Sequence, residues 1–243
     1  MARPPRYFIP GVPLHVIQRG NNRSDCFITD DDRRLYLAKL AEYAACYEVE
    51  IHNFVLMSNH VHLLVTPRNE HAVSQCMQRL GSSYVPYFNR VHERTGTLWE
   101  GRFRAFLVDS NEYFLTLCRY IEQNPVRAGM VRHCAEHPWS SYHANARGVH
   151  IRMLTPHYLY QGLGSTAEAR RHAYLQLFTP VEPERLKEIR TAVNRGIVLG
   201  RPEFRRDVEK RLGINLDRLE RGGDRKSSLF RMQAAASSQP PTA

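Results

Sequence analysis

Two histidines in an apolar strand, His60 and His62, are the first residues whose types and spacing suggest chemistry. They stand in MSNHVHLLV, Met57–Val65. Side chains alternate faces on an extended strand, so the two imidazoles leave the same side about 7 Å apart. Both can then reach one ion or one phosphate. Val61, Leu63 and Val65 point the other way, while Leu64 shares the histidine side, which describes a polar notch at one end of the strand. Taken alone the pair also reads as two core histidines bonded to backbone carbonyls. A second set lies about sixty residues on, in CRYIEQNPVRAGMV, where Tyr120 and Asn124 are spaced i, i+4. On a helix they stack on one face about 6 Å apart. If that helix packs beside the histidine strand, Asn124 completes a ligand set through its amide oxygen and Tyr120 comes within reach of the same point. Imidazole plus amide oxygen, with positions left open, suits Mg2+ or Mn2+ better than a closed zinc site. Tyr113, seven residues before Tyr120 and on a similar face, is the rival phenol; Tyr84 and Tyr87 read as packing residues.

The elements that must position these groups follow from periodicity and turn chemistry. A strand is expected at about 12–19, a helix at 31–47 capped by Thr29-Asp30, and two β-rich runs around Ser58-Asn59 as a hairpin. A second helix follows, bent near Pro86 and ended at Gly96. TLWEGRFRAFLV is expected to be a strand, and EYFLTLCRYIEQN a third helix, capped by Asp109-Ser110-Asn111 and stopped by Pro125. The order β-α-β-β-α-β-α predicts an α+β fold. It is a ferredoxin-like split βαβ antiparallel sheet with helices on one face, plus a helical C-terminal extension. The expected divisions are a catalytic region at 7–139, a basic helical extension at 140–220 with helices at 167–178, 182–195 and 202–213, and a disordered tail at 221–243.

Charge points to an anionic partner. The net charge is +10, and 30 of the 34 basic residues are arginine. The guanidinium fork suits phosphates and base edges, although GC-rich codon usage enriches arginine too. Residues 140–243 carry 18 basic and 10 acidic side chains, against 16 and 14 before them, so the excess sits in the C-terminal part. Arg102 and Arg104 alternate with Phe103 and Phe106, which on a strand puts both cations on one face for phosphate contact or stacking on unpaired bases. Arg19 and Arg23 in QRGNNR, and Arg127 just past Pro125, are further candidate contacts to phosphates of that partner. Trp99 reads as core. Five cysteines without CxxC spacing suggest neither a disulfide framework nor a zinc finger and fit a reducing cytoplasm. No signal-peptide pattern or membrane-length apolar run is evident.

SNHVHLLV followed by YIEQNPVRAG resembles the single-tyrosine HUH-endonuclease transposases of bacterial insertion sequences. Within them it is most similar to the REP-associated tyrosine transposases, whose habit LWEGRFRA and HPWSSY also match. The likeness covers residues 7–145 clearly and the rest loosely. It implies a divalent ion held by both histidines and by a polar residue one turn after the tyrosine, and attack by that tyrosine on single-stranded DNA. The product is a 5′-phosphotyrosine with a free 3′-OH, which a second attack resolves into strand transfer. Carried over by position, His60, His62 and Asn124 are ligands and Tyr120 is the nucleophile. The wider family often has Gln at the third position; here Gln123 comes one residue early and would point about 100° away on a helix. The implied partner is single-stranded DNA with palindromic, hairpin-forming repeats, bound by a monomer or a homodimer in the cytoplasm. Two other readings remain. One is a catalytically silent DNA-binding protein or repressor derived from a transposase, favoured by the basic C-terminal part. The other is a water-using zinc hydrolase, for which no third His or carboxylate stands at a suitable spacing.

Overall fold

The alternating and helical patterns fold much as their periods require. A computed structural model describes residues 6–178, 181–195 and 198–216. It divides into one compact unit through Phe204 and a second from Arg205 onward. The strands are β1 (Leu14–Arg19), β2 (Val49–Leu56), β3 (His60–Pro67), β4 (Arg104–Val108) and β5 (Val198–Leu199). The first helices are α1 (Asp30–Cys46), α2 (Ala72–Val91), α3 (Ser110–Glu122) and α4 (Asn124–Arg127). They are followed by α5 (Tyr142–Asn145), α6 (Tyr158–Gln161), α7 (Ala167–Gln176), α8 (Pro183–Arg195) and α9 (Pro202–Leu212). The strand order is β2-β3-β1-β4-β5. All neighbours are antiparallel except β4 and β5. β3 thus lies between β1 and β2, which is the split βαβ that the element order predicts. The expected tail at 221–243 lies outside the described residues.

Register assigns the faces. His62 pairs with Ile17 on one side and Val55 on the other, and His15 pairs with Leu64 and Phe106. These side chains share one face, and α3 covers it with Phe114, Leu117 and Ile121 in a common apolar cluster. Leu14, Val16, Leu63, Val65 and Leu107 line the opposite face, the layer of α1 and α2, which pack on each other and against β2. The first two helices therefore share one face, whereas α3 takes the other, over the histidines, so the helices do not all pack on one face as expected.

Packing does not break at 139/140. Leu56 N donates to Trp139 O and Ser141 N to Phe54 O, so the HPWSSY segment runs along the free edge of β2. Tyr174 of α7 and Ile189 of α8 join the α3 cluster, and β5 extends the sheet beside β4. The helices expected in the extension form, but residues 140–204 belong to the same compact unit as the histidine strand.

Two local expectations are corrected. The strand expected at 97–108 begins only at Arg104. Upstream, Gly101 takes φ 148° and Trp99 bridges to Gly20, so the chain turns where the apolar pattern suggested extension. Arg102 is therefore not on the strand. Asp109 occupies the N-cap position of α3 without a side-chain capping bond; its carboxylate accepts from Arg201 Nε at 2.9 Å instead.

Candidate active site

The histidine pair is held from two directions. His60 ends the turn between β2 and β3, and its Nδ1 lies 2.6 Å from Asn59 Oδ1. Asn59 Nδ2 donates to Arg23 O at 3.0 Å, and Gly20 N donates to Asn59 O at 2.8 Å. The QRGNNR turn is thus the seat of Asn59. Glycine is required at position 20 because a Cβ there would stand 2.1 Å from Ser24 O. Since Asn59 Nδ2 is spent on a carbonyl, its Oδ1 must accept from His60, which places the His60 proton on Nδ1 and the lone pair on Nε2. His62, 4% exposed, has its Nδ1 2.8 Å from Nε2 of His15, which is wholly buried. The rings of His60 and His62 meet edge-on with centroids 4.9 Å apart. Among the described residues neither Nε2 has a hydrogen-bond partner.

All three imidazoles are neutral at neutral pH. Burial, with Arg19 nearby, pushes His60 down to about 4. Burial alone takes His15 to about 3. Burial, and then the neighbouring His15 and His60 rings and Arg127, hold His62 well below the ordinary imidazole range. A neutral imidazole is the form that binds a cation, and in His60 the lone pair stands on Nε2.

α3 brings Tyr120 over this notch. Its ring centroid is 6.3 Å from those of His62 and His15, edge-on to both. Among the described residues its side chain has the Arg127 guanidinium as a hydrogen-bonding and electrostatic partner. The rival phenol points elsewhere: Tyr113 OH donates to Glu188 Oε2 at 2.7 Å, and Arg185 lies over its ring. Burial and that carboxylate raise Tyr113 to about 12, which makes it a poor nucleophile.

The end of α3 differs from expectation in an instructive way. The helix stops at Glu122, and Pro125 does not end helicity but sits in the first turn of α4. Proline has no N–H to offer the Ile121 carbonyl. Asn124 Nδ2 supplies that donor at 3.2 Å, and also reaches Tyr120 O at 3.2 Å. Arg127 adds a donor to Tyr120 O at 2.6 Å and lays its guanidinium 4.2 Å from the centre of the Tyr120 ring. The NPVR run therefore caps the tyrosine's own turn with side chains. With its nitrogen turned to carbonyls, Asn124 keeps its oxygen as the end that can ligate. Among the described residues no three His, Cys, Asp or Glu side chains gather into a metal-holding group. Two imidazoles alone leave most coordination positions open, and an open shell suits an ion that also grips a substrate phosphate.

The exposed arginines surround the notch unevenly. Arg19 stands opposite His60 across β1 and β3, and Arg104 shares the histidine face through its pairing with Ile17. Arg23 lies in the turn beneath Asn59. Arg102 lies in the bend before β4, next to Phe103, whose ring carries Arg6 at 3.9 Å. Two contributors escaped the sequence reading: His15, which appeared only as one residue of an alternating strand, and Asn59, which appeared only as a turn residue.

Residues 9–124 match the model of a family described as "Transposase IS200 like". The structure of a REP-associated tyrosine transposase bound to a REP hairpin is similar, with TM-score 0.51 and 22% identity over 65% of this chain and 93% of that one. A putative transposase from Deinococcus radiodurans R1 aligns over 50% of this chain and 96% of its own, with 18% identity and TM-score 0.36. No curated protein sequence matches the chain.

Proposed function

We propose, from the match of residues 9–124 to the IS200-like transposase model, that this chain cuts and rejoins single-stranded, hairpin-bearing DNA through Tyr120. One observation carries the reading: the Tyr120 ring packs 6.3 Å from His62, whose Nδ1 is occupied and whose Nε2 faces no protein partner. The Tyr120 oxygen attacks the scissile phosphorus, a P–O bond forms, and the bond to the 3′ oxygen breaks. The phenolic proton passes to solvent and the leaving strand takes up one to become a free 3′-OH. The enzyme keeps the 5′ phosphate as a phosphotyrosine ester, and a second 3′-OH reverses the step with no nucleotide cofactor. A Mg2+ or Mn2+ ion held by His60, His62 and the Asn124 oxygen would offset charge on the phosphate oxygens. Arg127, against the ring and main chain of Tyr120, fixes the nucleophile's position and places a cation beside the developing phenolate. Arg19, Arg23, Arg102 and Arg104 are proposed to bind the strand's phosphates, and the REP hairpin held by the similar structure supports a palindromic substrate.

The test is cleavage of a labelled single strand carrying a hairpin, with Mg2+ or Mn2+ and with EDTA. The reading expects metal-dependent scission leaving a 3′ end that terminal transferase can extend. Scission that persists in EDTA, or that leaves a blocked 3′ end, overturns it.

Two narrower results are expected. Asn59→Ala removes the acceptor that orients His60, and loss of such outer partners weakens metal binding or activity about 10–100-fold; Mn2+ titration against cleavage rate measures it. Arg104→Ala removes one exposed cation, so the slope of log K against log salt for single-stranded DNA should fall by about 0.7; fluorescence anisotropy over a salt series reads that slope.

A further inference from the structure

The proposed metal site depends on a residue outside the His-x-His pair. We infer that His15 is a positioning residue: it accepts the Nδ1 hydrogen of His62 and thereby holds His62 in the tautomer whose Nε2 can ligate. The inference rests on the metal reading above. Its basis is geometric. β1 and β3 are antiparallel neighbours, and His15 pairs with Leu64, one step along the same face from His62. The two rings stack with centroids 4.9 Å apart, and His15 Nε2 lies 2.8 Å from His62 Nδ1. The edges of Phe106 at 4.9 Å and Tyr120 at 6.3 Å pen the His15 ring in place.

At 2.8 Å the two nitrogens share a single hydrogen. If His15 donates it, His62 carries its own proton on Nε2 and cannot bind a cation there. If His62 donates it, Nε2 has its lone pair, and the His15 proton must sit on Nδ1. That atom is buried without a partner. It lacks a partner in either arrangement, as a bare lone pair in the first and an unbonded N–H in the second, and the larger local cost of the second is what ligation at His62 offsets. His60 is treated alike, since Asn59 accepts from its Nδ1. Each candidate ligand is thus anchored at Nδ1 by a residue outside the pair, and each offers the same nitrogen to the notch.

The test uses the full chain in three forms: wild type, His15→Leu and His15→Gln. Mn2+ affinity is measured by calorimetry, and the His62 tautomer by long-range 1H–15N correlation spectra with saturating Mg2+. Thermal melts check folding. The expected result is a roughly 10–100-fold weaker Mn2+ affinity for His15→Leu, with partial recovery in His15→Gln, whose carboxamide oxygen can accept. Wild-type His62 should show a protonated Nδ1 and an unprotonated Nε2. Equal Mn2+ affinity in all three forms, or a His62 proton on Nε2 in the Mg2+-loaded protein, overturns the role of His15 and leaves the metal site standing. A wild-type chain that binds neither ion overturns the metal reading, and the inference with it. If His15→Leu does not fold, the wild-type tautomer and His15→Gln decide the matter.

Discussion

Glu122→Ala is expected to lower the unfolding free energy by about 4 kcal/mol, because it strands several buried donors at once. Glu122 is wholly buried two residues after Tyr120. Its Oε1 accepts from Asn53 Nδ2 at 2.7 Å, Ser141 Oγ at 2.6 Å and Asn145 Nδ2 at 3.0 Å, and its Oε2 accepts from Tyr174 OH at 2.9 Å. One carboxylate thus ties the end of α3 to β2, α5 and α7. Burial, offset in part by these hydrogen bonds, raises the carboxyl from the ordinary 4.5 to about 7. The unfolded chain loses this proton at lower pH than the folded one. The contribution to stability is therefore full below about 4.5 and falls by about 3 kcal/mol as pH rises to about 7. Glu122→Gln stays neutral throughout, and the Tyr174 hydroxyl can turn to accept from the new amide. Urea unfolding on either side of that interval should show the slope in the wild type, a flat profile in Glu122→Gln and uniform weakness in Glu122→Ala. A Glu122→Ala chain as stable as the wild type would show that α3 is anchored by its apolar face alone.

His62→Ala is expected to reduce strand cleavage about a hundred- to a thousand-fold, the loss that about 3–4 kcal/mol of cation stabilisation represents. The same variant leaves the exposed Arg19, Arg23 and Arg104 in place, so affinity for single-stranded DNA measured in EDTA should change little. That separation of rate from binding distinguishes a metal ligand from a packing histidine, whose loss would weaken the fold and both properties together. Single-turnover cleavage beside anisotropy binding reads the two. Cleavage at the wild-type rate in His62→Ala would remove the imidazole pair from the chemistry.

Much of the frame was legible because its signals are local. Alternation in LHVIQR and HVHLLV, the Thr29 cap, and turn residues at 58–59 define strands, a helix start and a hairpin within short windows. A period of two also put His60 and His62 on one face without knowledge of the fold. What escaped depends on contacts distant in sequence. His15 matters only because β1 inserts beside β3, and Glu122 looks like an ordinary polar helix residue until β2, α5 and α7 close around it. The start of β4 was misjudged because Leu98, Trp99 and Phe103 look strand-like although Gly101 and the Trp99–Gly20 bridge turn the chain there. The proline at 125 was legible as a helix breaker, but its repair by Asn124 and Arg127 side chains has no periodic signature.

The decisive measurement is covalent capture. Wild type and Tyr120→Phe are incubated with a labelled hairpin single strand and Mn2+, denatured, and run on a gel, with the retained band digested and mapped by mass. A metal-dependent protein–DNA band whose nucleotide resides on the peptide containing Tyr120, and which is missing in Tyr120→Phe, is the predicted outcome. A wild type that retains no label, a Tyr120→Phe chain that retains as much, or a nucleotide mapped to Tyr113 would contradict it.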